Sequence, residues 1–172
     1  LSERDINLEH IRTPDLTYGW AKLSGEMLAS YARAEGLKIS VLRPFSGYGS
    51  DQSLDYPFPT FIQRAKERLD PFSVWGSGEQ VRDFIHIDDI VRATFECITN
   101  DVKVLNLCTG RPTNFIQLAE LCMLQAGYLA PIKSNKAKPV GVEYRVGNPR
   151  LMLEVYTPRI SLEEGIAQAL AN

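Results

Sequence analysis

Segments of two different periods alternate along this whole chain, and that alternation restricts its architecture more than any other feature. Apolar residues recur at helical spacing through 18–35, 57–69, 89–100 and 113–125, and again from Ser161 onward. Between them lie short runs rich in β-branched and aromatic residues, at 37–43, 72–75, 81–87, 102–107 and 142–145. Strand followed by helix, with no internal repeat and no low-complexity linker, favours an α/β fold over a sandwich or a bundle. The punctuation agrees: Gly36 is placed to end the first helix, Pro44 breaks the strand after it, and Pro57 opens the second helix after a polar loop over 50–56. Residues 130–141 form a basic, proline-containing loop. The order of the strands in a sheet does not follow from this pattern.

The chain has 172 residues, enough for a substantial core as one domain or as a domain with part of another. A formal charge of -2 and no lysine or arginine stripe argue against nucleic acid or an anionic membrane as partners. No apolar run approaches the ~20 residues needed to span a bilayer. Cys97, Cys108 and Cys122 have no metal-ligand spacing and are odd in number, so buried free thiols in a reducing cytoplasm are expected, and no metal site.

Tyr18 and Lys22 lie four residues apart at the front of the first helix, which puts phenol and ammonium side by side on one face. A free tyrosine titrates near ~10 and is a weak base at neutral pH, but a fixed cation beside it favours the phenolate. The same spacing occurs in helices where the aromatic packs on the body and the lysine reaches water. The surrounding blocks separate the two readings.

Those blocks are Tyr18-Gly19-Trp20-Ala21-Lys22, Leu42-Arg43-Pro44-Phe45-Ser46-Gly47-Tyr48-Gly49, and Val74-Trp75-Gly76-Ser77-Gly78-Glu79-Gln80-Val81-Arg82-Asp83-Phe84-Ile85-His86-Ile87-Asp88-Asp89. Asn106-Leu107-Cys108-Thr109-Gly110 and Ser161-Leu162-Glu163-Glu164-Gly165-Ile166 follow. Taken in order, they make the chain resemble the extended short-chain dehydrogenase/reductase family, the NAD-dependent nucleotide-sugar epimerases and dehydratases. The resemblance covers nearly the whole chain but corresponds to the latter half of a family member, opening just after the family's catalytic Ser/Thr. A complete member begins with a strand, a glycine-rich turn and a helix that holds the dinucleotide pyrophosphate. Gly76-Ser77-Gly78 is not that turn: strand-like residues stand on both sides of it, so it reads as a hairpin connection. Gly47-Tyr48-Gly49 lacks a third glycine and a following helix.

The resemblance implies the C-terminal part of a Rossmann-type doubly wound sheet with a small α/β substrate-binding domain. Residues 1–50 would end the NAD-binding domain and 51–172 would be mainly substrate-binding, with 82–110 partly returning to the Rossmann core. It makes Tyr18 the base that takes a proton from the sugar 4-hydroxyl, and Lys22 the partner that also binds the nicotinamide ribose. It sets Phe45 beside the nicotinamide and Ser46 on the substrate phosphate, where the family commonly has Asn. Ser73, Val74 and Trp75, with Tyr56 and Pro57, match the surroundings of the nucleobase. Arg82 and Arg145 match arginines that hold the substrate's diphosphate, a task for which a guanidinium fork suits better than an ammonium. The implied activity is NAD-dependent epimerisation of a nucleoside-diphosphate sugar through a transient 4-keto intermediate, in a homodimer. A 4,6-dehydratase, or a binding module without catalysis, is the alternative.

Taken without the resemblance, Arg82 next to Asp83 reads as a surface ion pair, Arg145 as a solvated strand end, and Trp75 as core. Asp88 and Asp89 ahead of Ile90 suit a helix N-cap better than a metal site with His86. His10 reads as solvated, and neither histidine as catalytic. The tail departs from the family pattern at Gly147-Asn148, where Gly-Asp is usual, and the stretch to Pro158 is short.

Overall fold

A computed structural model describes residues 1–6, 16–137 and 141–172; His10 lies outside them. Helix α1 (Leu16–Ala34) closes as its sequence requires. Gly36 takes φ 90°, which costs a residue without Cβ little. Leu37 N–H then donates to Ala32 O at 3.1 Å and Gly36 N–H to Arg33 O at 3.0 Å, the paired bonds of a Schellman close.

Beyond α1 run β1 (Val41–Pro44), β2 (Ser46–Tyr48), α2 (Pro57–Lys66), β3 (Phe72–Trp75), β4 (Val81–Arg82) and β5 (Phe84–His86). Next come α3 (Ile87–Thr99), β6 (Val104–Leu107), β7 (Thr113–Asn114), α4 (Phe115–Gln125), β8 (Ile132–Asn135), β9 (Tyr144–Arg145), α5 (Arg150–Val155) and α6 (Leu162–Ala171). β1 pairs with β6, β2 with β5 and β3 with β8, all parallel, as an α/β fold demands when helices intervene. β4 lies between β7, antiparallel, and β9, parallel.

Two apolar cores result. One gathers Phe58, Phe61, Phe72, Val74, Phe115, Leu118 and Ile166 from α2, β3, α4 and α6; the other gathers Ile85, Ala93, Leu105, Leu107 and Met152 from α3, α5, β5 and β6. Strand β5 serves both, because successive side chains point to opposite faces: Phe84 enters the first core and Ile85 the second. Gly165 lets α6 sit against Tyr48, since a Cβ there would lie 2.6 Å from the ring Cε2. The three cysteines are free and buried.

The structure corrects several expectations. The Gly76–Gly78 turn is not a hairpin connection, because β3 and β4 do not pair. Gly76 and Gly78 both adopt positive φ, 71° and 84°, and Gly78 O accepts from Phe115 N–H and Ile116 N–H at the start of α4. That contact carries β4 toward β7, while β3 takes β8. The run 81–87 is two strands, broken where Asp83 turns fully inward. Helix α3 starts two residues early and is capped by His86, whose Nδ1 accepts from Asp88 N–H at 3.2 Å. Asp89 is committed elsewhere: its carboxylate accepts from Tyr156 Oη at 2.6 Å and from the N–H groups of Arg159 and Ile160 at 3.0 Å. Finally, the basic loop contains β8, and the short stretch before Pro158 contains α5.

Candidate active site

Helix α1 is fixed over the end of β1 by one charged contact. Arg43 donates from Nε and Nη2 to the two carboxylate oxygens of Glu26, at 2.7 and 2.5 Å, and both side chains are largely buried. Such a bidentate pair sets orientation as well as distance. Tyr18, Lys22, Gly25 and Glu26, at positions i, i+4, i+7 and i+8, therefore line one side of a cleft of about 630 Å³. Residues Val41 to Phe45 line the other, so the cleft runs the length of β1 and past its carboxyl end, the end at which open α/β sheets bind ligands. Lys22 Nζ lies 5.3 Å from the centroid of the Tyr18 ring, so the two side chains are neighbours inside this cleft.

Arg145 reaches the same cleft from β9. In the β4–β9 pairing it stands directly beside Arg82. Arg82 is only 8% exposed, and its guanidinium lies 5.6 Å from the centroid of Phe115. Burial lowers its pKa, and the neighbouring charge of Arg145 lowers it further. Among the described residues neither arginine forms an ion pair with a carboxylate. The surface ion pair of Arg82 with Asp83 is thus not made. Asp83 points the other way, wholly buried, and accepts from Thr109 N–H and Oγ1, Gly110 N–H and Gly147 N–H at 2.6–3.1 Å. Two adjacent cations with no counter-charge favour an anion.

Phe115 also walls a smaller pocket of about 50 Å³, with Tyr56, Pro57, Thr60, Arg64 and Trp75. Trp75 and Tyr56 are half exposed there, at 45% and 55%, so Trp75 is not core. Val74 is; its side chain is fully buried among the phenylalanines, and Ser73 and Trp75 lie on the opposite face of β3. Ser46 sits at the head of β2 with its N–H donating to Asp83 O at 2.9 Å. Sequence reasoning missed Arg64, Phe115 and Asp83. Arg64 had a signal: 57, 60, 61 and 64 share one helix face.

Phe45, Lys22 and Tyr18 offer an aromatic wall, a cationic donor and a phenol, which suit the nicotinamide riboside end of a dinucleotide. No strand, glycine turn and helix for the pyrophosphate occurs among the described residues.

The model of the NAD dependent epimerase/dehydratase family matches residues 2–108. The chain belongs to that family, whose fold and cofactor are those of NAD-dependent extended short-chain dehydrogenase/reductases. It is 30% identical over 166 residues to UDP-glucuronate 4-epimerase of Thermodesulfobacterium geofontis, covering 93% of this chain and 51% of that protein. It is 29% identical over 159 residues to dTDP-4-dehydro-6-deoxy-D-allose reductase of Streptomyces bikiniensis, covering 89% and 48%. Among solved structures, UDP-glucose 4-epimerase of Thermotoga maritima with UDP-glucose superposes with a TM-score of 0.79 at 32% identity, covering 95% of this chain and 55% of that one. UDP-glucuronic acid 4-epimerase of Bacillus cereus, in complex with UDP-glucuronic acid and NAD, gives 0.81 at 25% identity, covering 96% and 55%. The chain thus spans about half the length of the relatives it matches. No helix among the described residues is long and apolar enough to cross a membrane.

Proposed function

We propose that this chain is the substrate-side half of an NAD-dependent nucleotide-sugar 4-epimerase. One observation carries the reading: Arg145 lines the large cleft with Tyr18 and Lys22, its register neighbour Arg82 lies against Phe115, which walls the pocket with Trp75, and neither arginine has a carboxylate partner among the described residues. A nucleoside-diphosphate sugar has the matching order of sugar, diphosphate and base. The preference for epimerase rests on the 4-epimerases of T. maritima and T. geofontis, at 32% and 30% identity.

In this reading bound NAD supplies the hydride acceptor and donor. Tyr18, as phenolate, removes the proton from the sugar 4-hydroxyl, and Lys22 stabilises that phenolate and donates to the nicotinamide ribose hydroxyls. Phe45 packs by the nicotinamide. Ser46 donates one hydrogen bond to a phosphate oxygen. The arginine pair neutralises the diphosphate, and Tyr56, Pro57, Ser73, Trp75 and the main chain of Val74 surround the base. The two cores correspond to the end of an NAD-binding domain and to a substrate-binding domain, with β5 and β6 returning to the former. The exposed apolar face of α1 serves a homodimer contact.

Product analysis tests the reaction. Protein expressed from the full reading frame and supplied with NAD is expected to interconvert the C4 epimers of a UDP-, GDP- or dTDP-sugar, followed by proton NMR. A 4-keto-6-deoxy product would assign a dehydratase instead, and binding without conversion a module. A second expectation concerns residues 1–172 alone. Leu28, Tyr31, Phe95 and Ile98 are 64–69% exposed on α1 and α3, and β1 has a single strand neighbour among the described residues. Such a chain should bind a hydrophobic dye, self-associate and show no measurable NAD affinity. A monodisperse chain with micromolar NAD binding would contradict this division of the site.

A further inference from the structure

We infer that Asp83 is a positioning residue that sets the spacing of the Arg82–Arg145 pair; the inference rests on the diphosphate-binding reading above. Arg82 and Arg145 come from strands far apart in sequence, and β4 and β9 are only two residues long each. So short a ladder holds register weakly. Asp83 supplies what the ladder lacks. It follows Arg82 directly, and its Oδ2 accepts from Gly147 N–H at 3.1 Å, two residues beyond Arg145. The same oxygen accepts from Gly110 N–H at 2.9 Å, and Oδ1 from Thr109 N–H at 2.8 Å and Thr109 Oγ1 at 2.6 Å. One carboxylate with no exposed surface thus takes four donors from two other segments.

The tether has little slack. A Cβ at Gly147 would lie 2.5 Å from Cys108 Cβ and 3.1 Å from Phe45 Cε2, so the β9 tail runs hard against the strand that ends in the cleft. The main chain of Asp83 reaches the cleft too, its carbonyl accepting from Ser46 N–H at 2.9 Å. Asp83, which lines neither the cleft nor the aromatic pocket, therefore connects Arg82, the Arg145 tail and the Phe45–Ser46 wall. A carboxylate is required because all four partners donate: an amide would turn an N–H₂ toward at least one N–H.

Calorimetric titration of protein from the full reading frame with UDP, GDP and dTDP tests this, using whichever of the three the parent binds. Asp83→Asn should weaken that affinity tenfold or more while NAD affinity changes less than twofold. In an Arg145→Ala background, Asp83→Asn should add less than twofold, because it acts through the tail that bears Arg145. Thr109→Val, which removes one of the four donors and leaves the backbone intact, should weaken affinity in the same direction by about threefold; it decides the matter if Asp83→Asn does not melt cooperatively. Unchanged diphosphate affinity in a cooperatively melting Asp83→Asn protein would overturn the inference. So would equal losses for diphosphate and NAD, full additivity with Arg145→Ala, or, where Asp83→Asn does not fold, an unaffected Thr109→Val. Failure of the diphosphate reading itself looks different: Arg82→Ala would then leave affinity unchanged.

Discussion

Replacing Tyr18 with phenylalanine in protein from the full reading frame is expected to lower turnover roughly 10²–10⁴-fold, the range for losing a positioned acid-base group. Binding of the nucleotide sugar should stay near parental, because only the ionisable oxygen is removed. The fold should tolerate the change equally well: Tyr18 is 72% exposed and belongs to neither apolar core. Its ring would still stand beside Lys22, 5.3 Å from Nζ in the parent, and α1 would still be held by Arg43 and Glu26. Steady-state kinetics with a thermal melt as control decides the point. Near-parental turnover would remove Tyr18 as the base.

Arg82→Ala should weaken affinity for the nucleoside-diphosphate sugar by on the order of 2–5 kcal/mol, the cost of truncating one partner of a buried, hydrogen-bonded charge pair. The site is 8% exposed, so water replaces the lost charge poorly. Arg145 alone would face the diphosphate from an exposed position. Lysine should restore only part of the loss, since an ammonium cannot present two parallel donors. Calorimetry reads the effect directly. An unchanged dissociation constant would make Arg82 a packing residue on Phe115.

Local signals made much of the fold legible. Gly36 and Pro57 mark helix ends through bonds within a few residues, and the helix expected from Ser161 starts at that residue's own cap; the observed ends fall close to those marks. What escaped depends on distant partners. β8 reads Ile132-Lys133-Ser134-Asn135, with three of four residues exposed and no alternation, and becomes a strand only because β3 offers an edge. The Gly76–Gly78 turn has hairpin composition, but the start of α4 decides where it leads. α5 is six residues long, too short for a period to show.

The site divides the same way. Tyr18 and Lys22 were legible because helical spacing alone makes them neighbours. Arg82 and Arg145 were singled out by resemblance; their adjacency is a register fact of β4 and β9 that no local pattern contains. Asp83 was missed for the same reason. Beside Arg82 in sequence it suggests an ion pair, yet alternation turns the two side chains to opposite faces, and Asp83 finds its donors in residues 109, 110 and 147.

If Tyr18 begins a transient oxidation of a nucleotide sugar held in this half of the site, reduced nicotinamide forms when the sugar meets NAD-loaded protein. Rapid mixing of NAD-loaded protein from the full reading frame with UDP-, GDP- and dTDP-sugars, followed by the near-ultraviolet absorbance of reduced nicotinamide, tests it most directly. Absorbance should rise with one of these sugars in the parent and fail to rise in Tyr18→Phe at equal substrate occupancy. No rise with any of the three in the parent, or an equal rise in both proteins, would contradict it.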